Sequence, residues 1–161
     1  MKLYKSLLLI SLIALFSGNQ VLAVDCRAVG TVSQELEKAT AVFSGKVIAE
    51  ERRKITDSTD IGFGGEALFI RLKVDRWWNG SSSSEVVLRT GTVHFRGSTL
   101  RMAEDFRFLT GLSYLVYAYE SNGNFITDGC GRTKVSYEAD EDVKELGEGY
   151  LPEKIKSPFI K

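Results

Sequence analysis

Apolar positions alternate most cleanly at Leu68, Ile70, Leu72 and Val74, with Phe69, Arg71, Lys73 and Asp75 in the intervening places. A period of two puts one set on each side of an extended chain. This predicts a strand with one face in a core and the other in water. The run ends at Arg76-Trp77-Trp78-Asn79-Gly80 and the serines Ser81–Ser84. Upstream, Val42–Ala49 is β-rich, with Phe43, Gly45, Val47 and Ala49 on one face. A glycine inside such a run marks a bend or bulge, which a small barrel needs where its sheet turns a corner. Val86–Arg89 begins a third strand, which Val93-His94-Phe95 continues after a break at Gly91. Tyr114–Tyr119 forms a fourth. Ser121-Asn122-Gly123-Asn124 turns it back into Phe125-Ile126-Thr127, Asn-Gly being a strong hairpin signal.

Two segments carry helical signals instead. Thr31 and Gln34 have the spacing of a capping box, and Ser33–Ala39 follows with Leu36 and Ala39 on one face. Glu138–Leu146 reads as a second short helix stopped by Gly147. Its run Asp140-Glu141-Asp142 reads as a solvated first turn, favoured by the helix dipole. Lys54–Gly65 is polar and glycine-rich and is expected to be a mobile loop; Gly97–Arg107 is irregular by pattern. The tail from Glu148 on, with Pro152 and Pro158, is expected to be loosely held. Five strands and two short helices make a mainly β fold. A closed five-stranded Greek-key barrel of the OB type removes exposed edges most economically, and pattern alone leaves a β-sandwich open.

The first residues bear on compartment. Lys2 and Lys5 precede an apolar run from Leu7 to Phe16, and Val21-Leu22-Ala23 suits signal peptidase. The run falls short of the roughly 20 residues that span a bilayer, so a cleaved signal over 1–23 is expected ahead of an uncleaved anchor. The domain then covers 24–147 and the tail 148–161. Basic and acidic residues are equal in number at 21 each, and Lys2 and Lys5 leave with the signal. A slightly acidic mature chain argues against a nucleic-acid or anionic-membrane partner, and no membrane insertion is expected after signal cleavage. Cys26 and Cys130 are the only cysteines. In an oxidising compartment two cysteines pair, unpaired thiols being the alternative. A secreted or periplasmic monomer is the expectation.

Candidate chemistry is thin. His94 is the only histidine, and flanked by Val93 and Phe95 it should point to solvent. One histidine and two distant cysteines make no zinc set, so no metal and no cofactor is expected. Gly62-Phe63-Gly64-Gly65 lacks the lysine of a phosphate loop. Trp77 and Trp78 face opposite ways in a strand, so at most one can serve as a stacking platform for sugars. Asn79-Gly80-Ser81 is a glycosylation sequon, meaningful only in a eukaryotic source. No catalytic residue is identified, and a binding module rather than an enzyme is expected.

The order of these pieces resembles the netrin-like domain of the tissue inhibitors of metalloproteinases, especially its bacterial relatives. The resemblance runs from Val24 to about Leu146. It rests on the early cysteine, Ala39–Val47 after a short helix, Val74–Gly80, Phe108–Ala118 and Cys130-Gly131-Arg132-Thr133. It implies an OB-fold barrel and a Cys26–Cys130 disulfide. In the animal inhibitors, the amine and carbonyl of a first cysteine chelate the protease's zinc. Here Val24 holds that position, and the partner of the missing cysteine falls near Glu104. Asp25 stands where a side chain enters the protease's specificity pocket. The implied binding ridge is Val24, Asp25, Cys26, Arg27, Ala28 and Val29, together with Arg101, Met102, Ala103, Glu104 and Asp105. The expected function is a protein-binding domain that inhibits a zinc metalloprotease through its mature N-terminus. The alternative is a carbohydrate- or cell-envelope-binding OB module without inhibitory activity.

Overall fold

A computed structural model describes Cys26 and residues 29–55, 65–102 and 105–153. Seven strands form one sheet: β1 (Ala41–Lys54), β2 (Glu66–Asn79), β3 (Glu85–Phe95), β4 (Ser98–Arg101), β5 (Ser113–Ser121), β6 (Asn124–Ile126) and β7 (Lys134–Val135). Two helices, α1 (Val32–Lys38) and α2 (Asp140–Leu146), lie outside it. The neighbours run β1-β2-β3-β6-β5, and β5 pairs back onto β1, so five strands close a ring. The pairs are antiparallel except β3–β6, which meet in parallel at Leu88 and Phe125. This is the five-stranded Greek-key barrel expected from the pattern, and β4 and β7 are additions to it.

Burial explains why some strands alternate and others do not. β5 buries five successive residues, Tyr114 to Ala118, because both of its faces are covered. Tyr114, Val116 and Ala118 point into the barrel with Phe43, Ile70, Leu72, Leu88 and Trp77. Leu115 and Tyr117 point outward, where Val42, Ala39 and Ala139 form a second layer beneath the helices. A strand covered on both sides reads as a continuous apolar run. β2 has a covered inner face and keeps its alternation: Ile70, Leu72 and Val74 are buried and Lys73 and Asp75 exposed.

Gly45 is the corner. A Cβ there would sit 2.7 Å from the Lys73 carbonyl oxygen, and the β1–β2 register shifts beside it and again after Val47. Only a glycine admits that approach, and the bulges curl the strand into the barrel. Asn122 (φ 49°) and Gly123 (φ 71°) make the expected hairpin turn. Helix α1 starts with the expected reciprocal box, the Thr31 side chain accepting from Gln34 N and the Gln34 side chain from Thr31 N. Its Glu35 accepts from Tyr119 Oη at 2.9 Å, tying the helix to β5. Burial and that bond push the Tyr119 hydroxyl up to about 12. Glu35 is held below its ordinary value, chiefly by its bond from Lys38.

Four expectations need correction. β3 does not break at Gly91; it runs unbroken from Glu85 to Phe95, and the register against β2 shifts between Ala67 and Phe69 instead. Part of Gly97–Arg107 is not irregular, since Ser98–Arg101 forms β4 against β3. Their turn places Arg96 (φ 47°) and Gly97 (φ 80°) in the left-handed region, and arginine is no turn signal. Asp142 is not solvated but 3% exposed, and the helix proper begins at Asp140 after a 3-10 turn over Ser136–Glu138. Glu148 to Glu153 are not loose. Tyr150 and Trp77 exchange two backbone bonds of 2.8 Å, Glu153 N donates to Ser82 O at 2.7 Å, and Arg76 Nη1 donates to Glu148 O. Residues 56–64 of the expected loop and the last residues of the tail lie outside the described residues.

Candidate functional site

Of the implied ridge, Cys26, Val29, Arg101, Met102 and Asp105 are described; Val24, Asp25, Arg27, Ala28, Ala103 and Glu104 lie outside the described residues. The first arm is fixed covalently. Cys26 and Cys130 form the disulfide, their Cα atoms 5.3 Å apart across a separation of 104 residues. Beyond it Val29 is exposed, and the Gly30 carbonyl accepts from Arg132 Nη1 at 2.8 Å. The rest of that guanidinium grips Asp142 through two parallel bonds of 2.9 and 2.7 Å, and Lys134 Nζ adds a third at 3.1 Å. Burial alone would raise the Asp142 carboxyl; the two cations outweigh it and hold the group below its ordinary value. The same pairing raises Arg132. One arginine thus links the N-terminal segment, the stretch after Cys130 and helix α2.

The second arm is fixed by a carboxylate. Arg101 and Met102 are exposed, but Asp105 turns inward with 4% of its side chain accessible. Oδ1 accepts from Gly91 N at 2.9 Å and Oδ2 from Thr92 Oγ1 at 2.7 Å. Asp105 therefore anchors the loop to β3 and is not offered to a partner. Its backbone also bridges Asp128. The Asp128 carboxylate in turn accepts from Cys130 N. Both arms converge on Asp128–Cys130, although they stand far apart in sequence. Between β3, the second arm and the strand end after β6 opens a cleft of about 250 Å³, lined by Val93, Met102, Asp105, Ile126, Thr127 and Asp128.

The remaining candidates take structural places. Trp77 is fully buried, 5.0 Å from Phe43 between ring centroids, with its Nε1 donating to Ser83 O. Trp78 is half-buried against the outer layer, and its Nε1 donates to Gly147 O. Asn79 Nδ2 donates to Ala39 O at 2.8 Å, so the sequon's amide is engaged. His94 is half-buried, with Nδ1 2.9 Å from Thr99 Oγ1. Of the residues that position the rim, Asp128 was not singled out from sequence, Arg132 entered only within the Cys130-Gly131-Arg132-Thr133 of the resemblance, and Asp142 was read as part of a solvated first turn. Ala139, Asp142 and Leu146 do share one helical face, and that spacing was the available signal.

Among the described residues no group of three or more His, Cys, Asp or Glu could hold a metal ion. No described helix is long and apolar enough to cross a membrane. Compared with protein-family models and with curated proteins, the chain matches none.

Proposed function

We propose that the chain is an exported protein-binding domain whose contact surface is the rim carrying Cys26–Val29 and Arg101–Asp105. The supporting observation is the convergence of both arms on Asp128–Cys130, one by a disulfide and the other by a backbone bridge. A surface held at both ends loses little conformational entropy on binding, which is what a tight protein contact requires. The disulfide also favours an oxidising compartment. The partner suggested by the netrin-like resemblance is a zinc endopeptidase, met by the amine and carbonyl of a processed N-terminus at Val24. The carbohydrate-binding alternative has less support, because Trp77 is enclosed and Trp78 is tied to Gly147.

The test is titration of a panel of zinc endopeptidases with the processed protein, beside an N-terminally acetylated form and Met102→Asp. Inhibition by the unmodified protein alone is the expected result. Inhibition that survives acetylation removes the amine from the mechanism. If no member of the panel is inhibited, the protease reading falls. N-terminal sequencing belongs with it, since a start other than Val24 displaces the chelating atoms.

A further inference from the structure

The sheet continues past the barrel. The end of β1, the start of β2, the end of β3 and β4 make a four-stranded extension. In it Lys54, Glu66, His94 and Thr99 stand opposite one another on successive strands. Opposite partners share a face, and Arg52 and Arg101, two residues from Lys54 and Thr99, share it too. The side chains agree: Thr99 Oγ1 meets His94 Nδ1, and Arg101 Nε donates to Thr92 Oγ1 at 3.3 Å. This face continues the barrel interior, since Leu68, opposite Arg52, packs on the core. A hollow of about 500 Å³ lies along it beside Arg52, His94, Arg96 and Thr99. A second, of about 140 Å³, lies at the barrel mouth beside Arg101 and Arg107.

The two faces treat their charges differently. On the opposite face Arg53 and Arg71 both pair with Glu51, at 2.7 and 2.6 Å, and Arg71 also reaches Glu85. On the barrel-side face Arg52, Lys54 and Arg107 make no ion pair with any described residue, and the same holds for Arg96 at the turn. Arg101 comes no closer than 3.8 Å to Asp105, whose oxygens are already taken by Gly91 and Thr92. The described carboxylates facing this group are Glu66, Glu50 and the engaged Asp105, and Glu50 accepts from Thr110 Oγ1. The chain is neutral overall, yet among the described residues this face is cationic.

β4 is also an edge. It pairs with β3 on one side, no described strand lies on the other, and all four of its residues are exposed. An uncovered edge is a template for another extended chain. A strand added there lies about 5 Å from β4 and passes between Arg96 at one end and Arg101 and Arg107 at the other. The more distant Arg52 and Lys54 act through their field and are screened by salt. Among the described residues, Phe95 beside β4 already carries Arg96 at 5.0 Å and Phe106 at the barrel mouth packs on the core, so neither is offered as a platform for a sugar.

We infer that the β4 edge captures an extended acidic polypeptide segment, which adds as a strand with its carboxylates toward Arg96, Arg101 and Arg107. This goes beyond the rim reading and shares only Arg101 with it. N-terminal acetylation leaves the edge intact, and failure of the edge leaves the rim intact.

The test uses the full processed chain and labelled octapeptides of alternating Glu and Thr. The comparison ligands are the Gln counterpart, two acidic peptides N-methylated at odd or at even positions, and a sulfated oligosaccharide of equal charge. The acidic peptide should bind at least tenfold more tightly than the Gln peptide, and one of the two N-methylated peptides should lose binding. Arg96→Asn, which suits the left-handed turn, and Arg101→Gln should each weaken binding about fivefold, and Arg53→Gln should change nothing. The inference is overturned if no peptide binds or if the Gln peptide binds equally. It is also overturned if neither N-methylated peptide is weakened while the oligosaccharide competes, which would make the face a polyanion surface without strand addition.

Discussion

Asp105 and Asp142 do the same work at two places, each keeping 4% of its side chain accessible. Each gathers donors from elements that would otherwise be joined only by packing. For Asp142 the donors are cations, and this gives its contribution a pH dependence. Its folded pKa lies below the unfolded value of about 3.9. The stabilisation is therefore present above that value and is lost as pH falls through the folded one. Asp142→Asn should cost about 3 kcal/mol at pH 7 by leaving Arg132 and Lys134 unpaired. The gap in melting temperature between variant and wild type should close below about pH 4. A gap as wide at pH 3 as at pH 7 would show that charge is not the cause. Single residues were also where the sequence was least legible. An acidic run at a helix start is normally solvated, and only the face that Asp142 shares with Ala139 and Leu146 hinted that it turns inward, toward the half-buried Arg132 guanidinium. Trp77 and Trp78 were half legible: opposite faces were expected, but which indole went inside depended on the register of the barrel.

At the scale of elements, strands announced themselves wherever one face was wet or a glycine was obligatory. β2 was legible from its alternation, and the bend at Gly45 from a glycine in a β-rich run. The hairpin at Asn122-Gly123 was legible because those residue types tolerate positive φ. β4 was not, since Arg96 carries the same conformation without advertising it. The end of β1, with its run of charged residues, resembles a loop until Glu51 and Arg71 are seen bonded across two strands at 2.6 Å. The segment after Gly147 was the largest misreading. It has no periodicity because it forms a single bridge and not a strand, yet that bridge caps Trp77 at the barrel wall. Gly149 allows the approach: with φ 63°, any Cβ there would collide with Trp77 O. Truncation after Gly147 should therefore lower stability by about 3 kcal/mol, the worth of the three backbone bonds it removes. Denaturant unfolding checks this, and a midpoint equal to that of the full chain would refute it.

For the whole molecule, the architecture was legible because closing the ring needs only five strands, a corner and short connections. The candidate site was proposed only through the resemblance, and two of its implied residues are fasteners in the structure: Cys26 holds the first arm and Asp105 the second. Reduction, or Cys26→Ser with Cys130→Ser, should lower stability by about 4–5 kcal/mol, the chain-entropy value for a loop of this length. Thermal melting with and without a reductant measures it, and an unchanged midpoint would contradict this contribution. Strands β1 to β6, which include all five of the barrel ring, lie between the two cysteines. The covalent circle therefore encloses nearly the whole domain. A single peptide-bond scission at any loop within that circle leaves one molecule of unchanged mass apart from an added water. On the proposed protease reading, the domain would in this way survive being bitten once, its two pieces still joined through sulfur.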